Sequence, residues 1–274
     1  MFMRVLAEAP ARPEVFLFPH AGASAAGFAP FARAWAAQFR LLCTDLPGRM
    51  GRMTQPPRIE FEPLIADLAA EIAAEPGRDG SPYLLVGSCA GAFLALETAR
   101  ALRSARQPGP AALVVLSCAA PDVAALPYGI AQLPSPVLWD YLLTHGGVPS
   151  ELADDASFRR LTEPALRADF ALFADYRHRP GPPLDTPVVV LHGAADDGLR
   201  RGELLGWRRQ STRPLEVRTV PGAGRWLAEE APDELGRVIA GCLSRSAAPG
   251  GPPMSDSAAG QAGQPATWRS SVSG

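Results

Sequence analysis

The 274-residue chain contains no lysine and no asparagine, so all 26 of its basic side chains are arginine. Without lysine it has neither a Schiff-base nucleophile nor a P-loop phosphate clamp. Without asparagine it has no N-glycosylation acceptor. The abundance of Ala, Arg, Gly and Pro points to coding bias as the origin of both gaps. Histidine is scarce as well: there are four, and none follows His192. The four cysteines, Cys43, Cys89, Cys118 and Cys242, form no C-x-x-C pair, which argues against a zinc site and a thioredoxin-like motif. No apolar run approaches the ~20 residues of a membrane span. The N-terminus lacks a charged segment followed by an apolar one, so no secretory leader is expected. The formal charge is −2 and no basic run is present, which speaks against nucleic acid as a partner. The expectation is a reduced, cytoplasmic enzyme with no metal, no cofactor, no nucleic acid and no membrane partner.

What is present reads as one domain with an insertion. Short apolar runs at Val15 to Phe18, Arg40 to Leu46, Tyr83 to Val86, Ala112 to Ser117, Pro187 to His192 and Leu215 to Val220 predict six strands. Helical periodicity covers Phe28 to Phe39, Phe61 to Ile72, Gly91 to Leu102, Gly202 to Gln210 and Pro232 to Leu243. Strands alternating with helices predict an α/β fold, a mostly parallel sheet covered on both faces. The unbroken apolar stretches ALVVLS and PVVVLH agree with strands buried on both sides. Residues 122–180 break the rhythm with helical pieces SPVLWDYLLT, DASFRRL and EPALRADFALFADYRH and no strand. They predict a helical lid inserted into a core made of 1–121 and 181–246. Residues 247–274 turn to Gly, Pro, Ser, Ala and Gln, the composition of a disordered tail.

The chemistry centres on Tyr83 to Phe93, YLLVGSCAGAF. A strand, then G-x-C-x-G, then a helix is the outline of a nucleophile elbow, in which flanking glycines let strand and helix approach closely. Gly87 and Gly91 bracket Cys89 symmetrically. For Ser88 to be central, glycines would have to replace Val86 and Ala90, so Cys89 is the nucleophile candidate. At a helix N-terminus its thiol is expected to fall below the free value of about 8.5. The acyl-enzyme it forms would be a thioester, near isoenergetic with a thioester substrate. A normal or raised thiol pKa would instead point to a dormant site.

The stretches FLFPHAGAS, LPGR, VGSCAGA, YLLTHGGVP, LRADFALFADYRHRPGPPLDTPV, GAADD and WRRQSTRPLEVRTVPG, in this order across roughly residues 13–240, resemble type II thioesterases. These are stand-alone α/β-hydrolases that work beside nonribosomal peptide and polyketide synthases. The resemblance implies an α/β-hydrolase fold and a monomer. It implies an acyl or peptidyl carrier protein as partner, with the substrate delivered on the carrier's phosphopantetheine arm and no cofactor of the enzyme's own. It places the nucleophile on Cys89, where the family usually has serine. It places the oxyanion-hole N–H groups on Ala90 and in the His20-Ala21-Gly22 loop, with Ala21 the chosen donor, and the acid on Asp196 with Asp197 its near neighbour.

One element departs from the family. The histidine expected after the last strand falls on Gly224, in VPGAGRWL, with Arg225 and Trp226 following. The chain order of nucleophile, acid and histidine cannot be completed. His20, His192, Arg225 and Asp197 are the auxiliary candidates, while His145 and His178 read as solvated or structural. Arg225 near the empty histidine position would lower the thiol pKa. Trp226, Trp139 and Tyr141 are candidates for lining the acyl pocket. Acylation of a thiolate needs only an oxyanion hole, whereas hydrolysis needs an activated water, and a general base is worth about 10²–10⁴-fold. Cysteine gained and histidine lost together favour acyl transfer to a second nucleophile. Editing hydrolysis with a displaced base and a non-catalytic carrier- or acyl-binding role are the alternatives.

Overall fold

The computed structural model describes residues 1–9, 11–75, 81–124, 129–145, 147–148, 150–174 and 176–247. The tail expected over 247–274 thus lies outside the described residues from 248 onward. Seven strands form one sheet: β1 (Met3–Ala7), β2 (Glu14–Phe18), β3 (Arg40–Thr44), β4 (Tyr83–Ser88), β5 (Ala112–Leu116), β6 (Val188–Gly193) and β7 (Glu216–Val220). Their order is β1-β3-β2-β4-β5-β6-β7. β1 is antiparallel to β3 and every other pairing is parallel. This is the sheet of an α/β-hydrolase, as expected.

The helices are α1 (Ala29–Trp35), α2 (Phe61–Ala73), α3 (Gly91–Ser104), α4 (Ser135–Thr144), α5 (Ser150–Ala153), α6 (Ala156–Ala174), α7 (Arg201–Leu205), α8 (Leu227–Glu230) and α9 (Pro232–Ala247). No helix among the described residues is long and apolar enough to cross a membrane.

The sheet is apolar on both sides because both are covered. Along β2, Phe16 and Phe18 join one core cluster with α2 and α3, while Val15 and Leu17 join the other with α1, α8 and α9. That alternation is the period-2 geometry of a strand, and it is invisible as polarity because both faces are buried. β1 was not foreseen. It is a five-residue edge strand whose middle residues are exposed, too short and too mixed to stand out. One expectation needs correction. The pieces DASFRRL and EPALRADFALFADYRH form one helix, α6, which runs through Pro164. The short α8 lies between β7 and α9, over residues to which the sequence assigned no element.

Between β5 and β6 the described residues hold helices and no named strand, with one isolated bridge from Leu184 to Ser211. Ile130, Leu138, Trp139, Leu142, Val148, Ala153 and Leu166 form a third apolar cluster there. Trp139 is buried in it at 1% exposure, with its indole N–H donated to Glu163. Its role is packing, not lining an acyl pocket.

The elbow is fixed by backbone contact. A Cβ on Gly91 would lie 2.2 Å from the Phe18 carbonyl oxygen and 2.4 Å from that of Pro19. A Cβ on Gly87 would lie 2.4 Å from Ala92 Cα. Strand β4, helix α3 and the end of β2 therefore meet with no room for a methyl group. Gly91→Ala is expected to destabilise the protein by about 3 kcal/mol or more, because backbone cannot yield as a side-chain tip can. Urea unfolding checks this, and a midpoint equal to that of the parent protein would contradict the packing described.

Candidate active site

Cys89 stands at the β4–α3 turn with φ of +49°. A non-glycine residue there is strained, and the contacts of Gly87 and Gly91 hold it in place. Its own N–H donates to the Leu116 carbonyl at 2.9 Å, tying the elbow to β5. Ala90 follows directly and lies at the start of α3.

The second donor loop sits across from it. Ala21 and Ala90 border one small cavity of about 10 Å³, room for roughly one water. In the loop, the Gly22 N–H donates to Asp169 Oδ2 and the Ala23 N–H to the His20 carbonyl. Among the described residues no acceptor meets the Ala21 N–H. The geometry thus leaves Ala21 and Ala90 beside a common space.

The acid loop follows β6. Asp196 is buried, with its side chain 3% exposed, whereas Asp197 is exposed. Asp196 Oδ1 accepts from the Gly198 N–H at 3.2 Å and from Arg225 Nη2 at 3.2 Å. Its Oδ2 is buried with no hydrogen-bond partner among the described residues. The Arg225 guanidinium also donates through Nη1 to the His145 carbonyl at 2.7 Å. His145 caps the C-terminal end of α4, where exposed carbonyls favour a cation.

Arg225 thus meets Asp196, the residue on which the resemblance places the triad acid. Two glycines make this possible. A Cβ on Gly198 would lie 2.1 Å from Arg225 Nη2, so any larger residue would displace the guanidinium. A Cβ on Gly193 would lie 2.0 Å from the Gly224 carbonyl oxygen, so β6 and the 223–224 loop touch backbone to backbone. Gly224, the empty histidine position, donates its N–H to Glu230 Oε2, and Trp226 donates its N–H to Glu230 Oε1. Gly198, Glu230 and the His145 carbonyl were missed from sequence. Each acts through a distant backbone or side-chain approach that leaves no local pattern.

The histidines are placed elsewhere. His20 lies against Trp226 with ring centroids 4.4 Å apart. Burial, together with the Arg49 and Arg225 charges, holds its pKa down at about 4, so it is neutral at pH 7 and a weak base. His192 Nε2 meets the Thr219 hydroxyl at 2.9 Å across the β6–β7 pair. His145 packs on Tyr141. Burial and the nearby Arg100 lower His178.

Cys89 corrects one expectation. Burial pushes its thiol up from the ordinary value, with Arg225 and the Ala90 N–H pulling down and Asp196 adding to the rise. The net direction is upward: the helix N-terminus and the guanidinium do not outweigh desolvation. A cleft of about 660 Å³ opens beside this group, lined by Leu143, His145, Asp196, Asp197, Arg225 and Trp226 among others. Cys89 does not line it.

Two outcomes follow from the electrostatics. Cys89 alkylation by iodoacetamide, with Cys89→Ala correcting for the other thiols, should keep rising with pH beyond 9, and Arg225→Met should slow it by about 3- to 10-fold at pH 8. A plateau near neutral pH would contradict the upward shift. His20 has a native pKa below its unfolded value, so the unfolded chain binds more protons between pH 6.5 and about 4. Stability should fall as pH drops through that window, and the slope should diminish in His20→Gln. An identical pH–stability curve for that variant would exclude His20 as its source.

A family model described as thioesterase domain matches residues 13–242. The chain is similar to the gramicidin S biosynthesis protein GrsT of Aneurinibacillus migulanus, 26% identical over 228 residues that cover 83% of this chain and 88% of that protein. It is similar to thioesterase PikA5 of Streptomyces venezuelae, 30% identical over 212 residues, 77% of this chain and 74% of that one. Among solved structures it is similar to the type II thioesterase BorB from the borrelidin biosynthetic cluster, with TM-score 0.78 and 30% identity over 88% of this chain and 97% of that one.

Proposed function

The chain belongs to the thioesterase family, as an enzyme of the α/β-hydrolase superfamily, and we propose that it transfers acyl or aminoacyl groups from carrier-protein thioesters to a second nucleophile through an acyl-S-Cys89 intermediate. The observation that carries this is the Arg225–Asp196 ion pair, whose two charges act on the elbow cysteine. An arginine stays protonated throughout the working pH range, so it cannot activate a water as a histidine does. It favours the Cys89 thiolate, although burial keeps the thiol's net shift upward.

In the forward step the Cys89 thiolate attacks the thioester carbonyl carbon. The carbonyl oxygen becomes an oxyanion within reach of the Ala21 and Ala90 N–H groups. The bond to the pantetheine sulfur breaks, and that thiolate takes up a proton from solvent in place of the one Cys89 released. Discharge repeats the sequence with a second thiol or an amine attacking. Water is disfavoured, since its activation requires a base that neither Arg225 nor the weakly basic His20 supplies. The carrier partner is inferred from the relatives: GrsT is named for gramicidin S biosynthesis and BorB for the borrelidin biosynthetic cluster. We assign residues 122–180 the role of lid, with the cleft beside Arg225 as the route for the pantetheine arm. A cytoplasmic monomer is the working state.

A second reading, a member that binds a carrier or an acyl chain without turnover, is favoured by the upward shift of the Cys89 thiol. Incubation with acyl carriers followed by mass spectrometry separates the readings. Transfer gives a Cys89 acyl adduct that persists in water and discharges to a second carrier. Rapid free acid would make the enzyme a hydrolase, and no adduct with any acyl group would make it a binding protein. Gly224→His, where a Cβ has 3.3 Å to Glu230 Oε2, should raise water-dependent discharge by about 10-fold or more when combined with Arg225→Phe. Unchanged discharge would show that the missing base does not set the partition.

A further inference from the structure

The LPGR arginine and an aspartate of α6 form the most buried ion pair among the described residues. Arg49 Nη1 lies 2.8 Å from Asp169 Oδ2 and Nη2 lies 2.5 Å from Oδ1. Their side chains are 6% and 5% exposed. Two parallel N–H···O bonds in a dry setting are strong and directional, and losing one partner leaves an uncompensated buried charge. The pair also reaches the donor loop at two points. Asp169 Oδ2 accepts the Gly22 N–H at 2.6 Å, and Arg49 Nη1 donates to the Ala23 carbonyl at 2.9 Å.

The same loop is pressed by α6 through packing. Gly22 has φ of +76°, and a Cβ there would lie 2.5 Å from Leu166. One turn of α6 thus carries both the carboxylate that binds the loop and the leucine that lies on it. Ala21, Ala90, Arg49 and Asp169 border one small cavity. The Gly22 N–H is occupied by Asp169, while the neighbouring Ala21 N–H meets no acceptor among the described residues.

We propose that Arg49 and Asp169 are positioning residues for the oxyanion loop, holding the Ala21 N–H in its donating orientation only while α6 is seated. This deepens the function proposed above and rests on its assignment of Ala21 and Ala90 to the developing oxyanion. It assigns the inserted helices a part in the chemistry as well as in covering the site. The α6 side of the insertion is fixed to the core by a buried charge pair.

The test compares the full chain with Asp169→Asn and with the double variant Arg49→Met/Asp169→Leu, which removes the pair without stranding a charge. Thiol release from an acyl N-acetylcysteamine thioester, in single turnover, needs the oxyanion hole. Alkylation of Cys89 by iodoacetamide does not. Both variants are expected to lose about 10- to 100-fold in thioester acylation and to keep alkylation within about twofold. Amide exchange of residues 20–24 should quicken by at least about tenfold, while that of α3 is unchanged.

Equal loss of acylation and alkylation would overturn the proposal in favour of general disruption. So would normal acylation by the double variant. Unchanged exchange of the loop overturns it whatever Cys89 does. If the parent chain takes no acyl group on Cys89 at all, the transfer function fails, and the exchange measurement alone decides whether the pair holds the loop.

Discussion

Strand β4 and helix α3 meet backbone to backbone, and the rest of the site hangs on that contact. Gly91 faces the Phe18 and Pro19 carbonyl oxygens at distances no side chain could occupy. Gly87 faces Ala92 in the same way. The residue between them is forced into the left-handed region, with Cys89 at φ of +49°. The strain is maintained by the hydrophobic sandwich on either side, in which the sheet is covered by two separate clusters. A strained residue persists only where its surroundings over-determine it, and here they do so through main-chain atoms. The same logic recurs at Gly193, whose bare α-carbon lets the 223–224 loop close on β6.

The electrostatics around Cys89 are a competition. Burial opposes the thiolate, and the Asp196 charge opposes it further. Arg225 and the Ala90 N–H favour it. A histidine in the usual place would accept the proton and hand it on. A guanidinium can only hold charge in place and moves no proton. Under the proposed transfer, acceptors would be discriminated by their own nucleophilicity, a thiol or an amine over water.

The inserted helices are bound into this arrangement from two sides. Arg225 reaches the C-terminal end of α4, and Asp169 of α6 reaches the loop opposite the elbow. The two ties differ in kind. The Arg49–Asp169 pair is bidentate and buried, whereas Arg225 reaches the His145 carbonyl at the edge of a wide cleft.

The sequence by itself determined the six parallel strands, the elbow and the absence of a histidine after His192. These are local matters: apolar runs, glycine spacing and the order of residue types along the chain. It also pointed to Cys89 rather than Ser88, because only one of them is bracketed by glycines. β1 stayed hidden because an edge strand with exposed middle residues carries little pattern. The continuous α6 stayed hidden because Pro164 reads as a break, yet neighbouring packing carries the helix through it. Only the tertiary structure decided what meets Asp196. Arg225 does so because Gly198 leaves room for its guanidinium, and the two glycine-lined loops come together only when β6 and β7 pair. It likewise decided the direction of the thiol's pKa, since desolvation is a property of the finished surroundings. Arg49 and Asp169 are 120 residues apart, and a pairing at that separation leaves no periodicity to read. It exists only once the fold has brought the two charges out of water together.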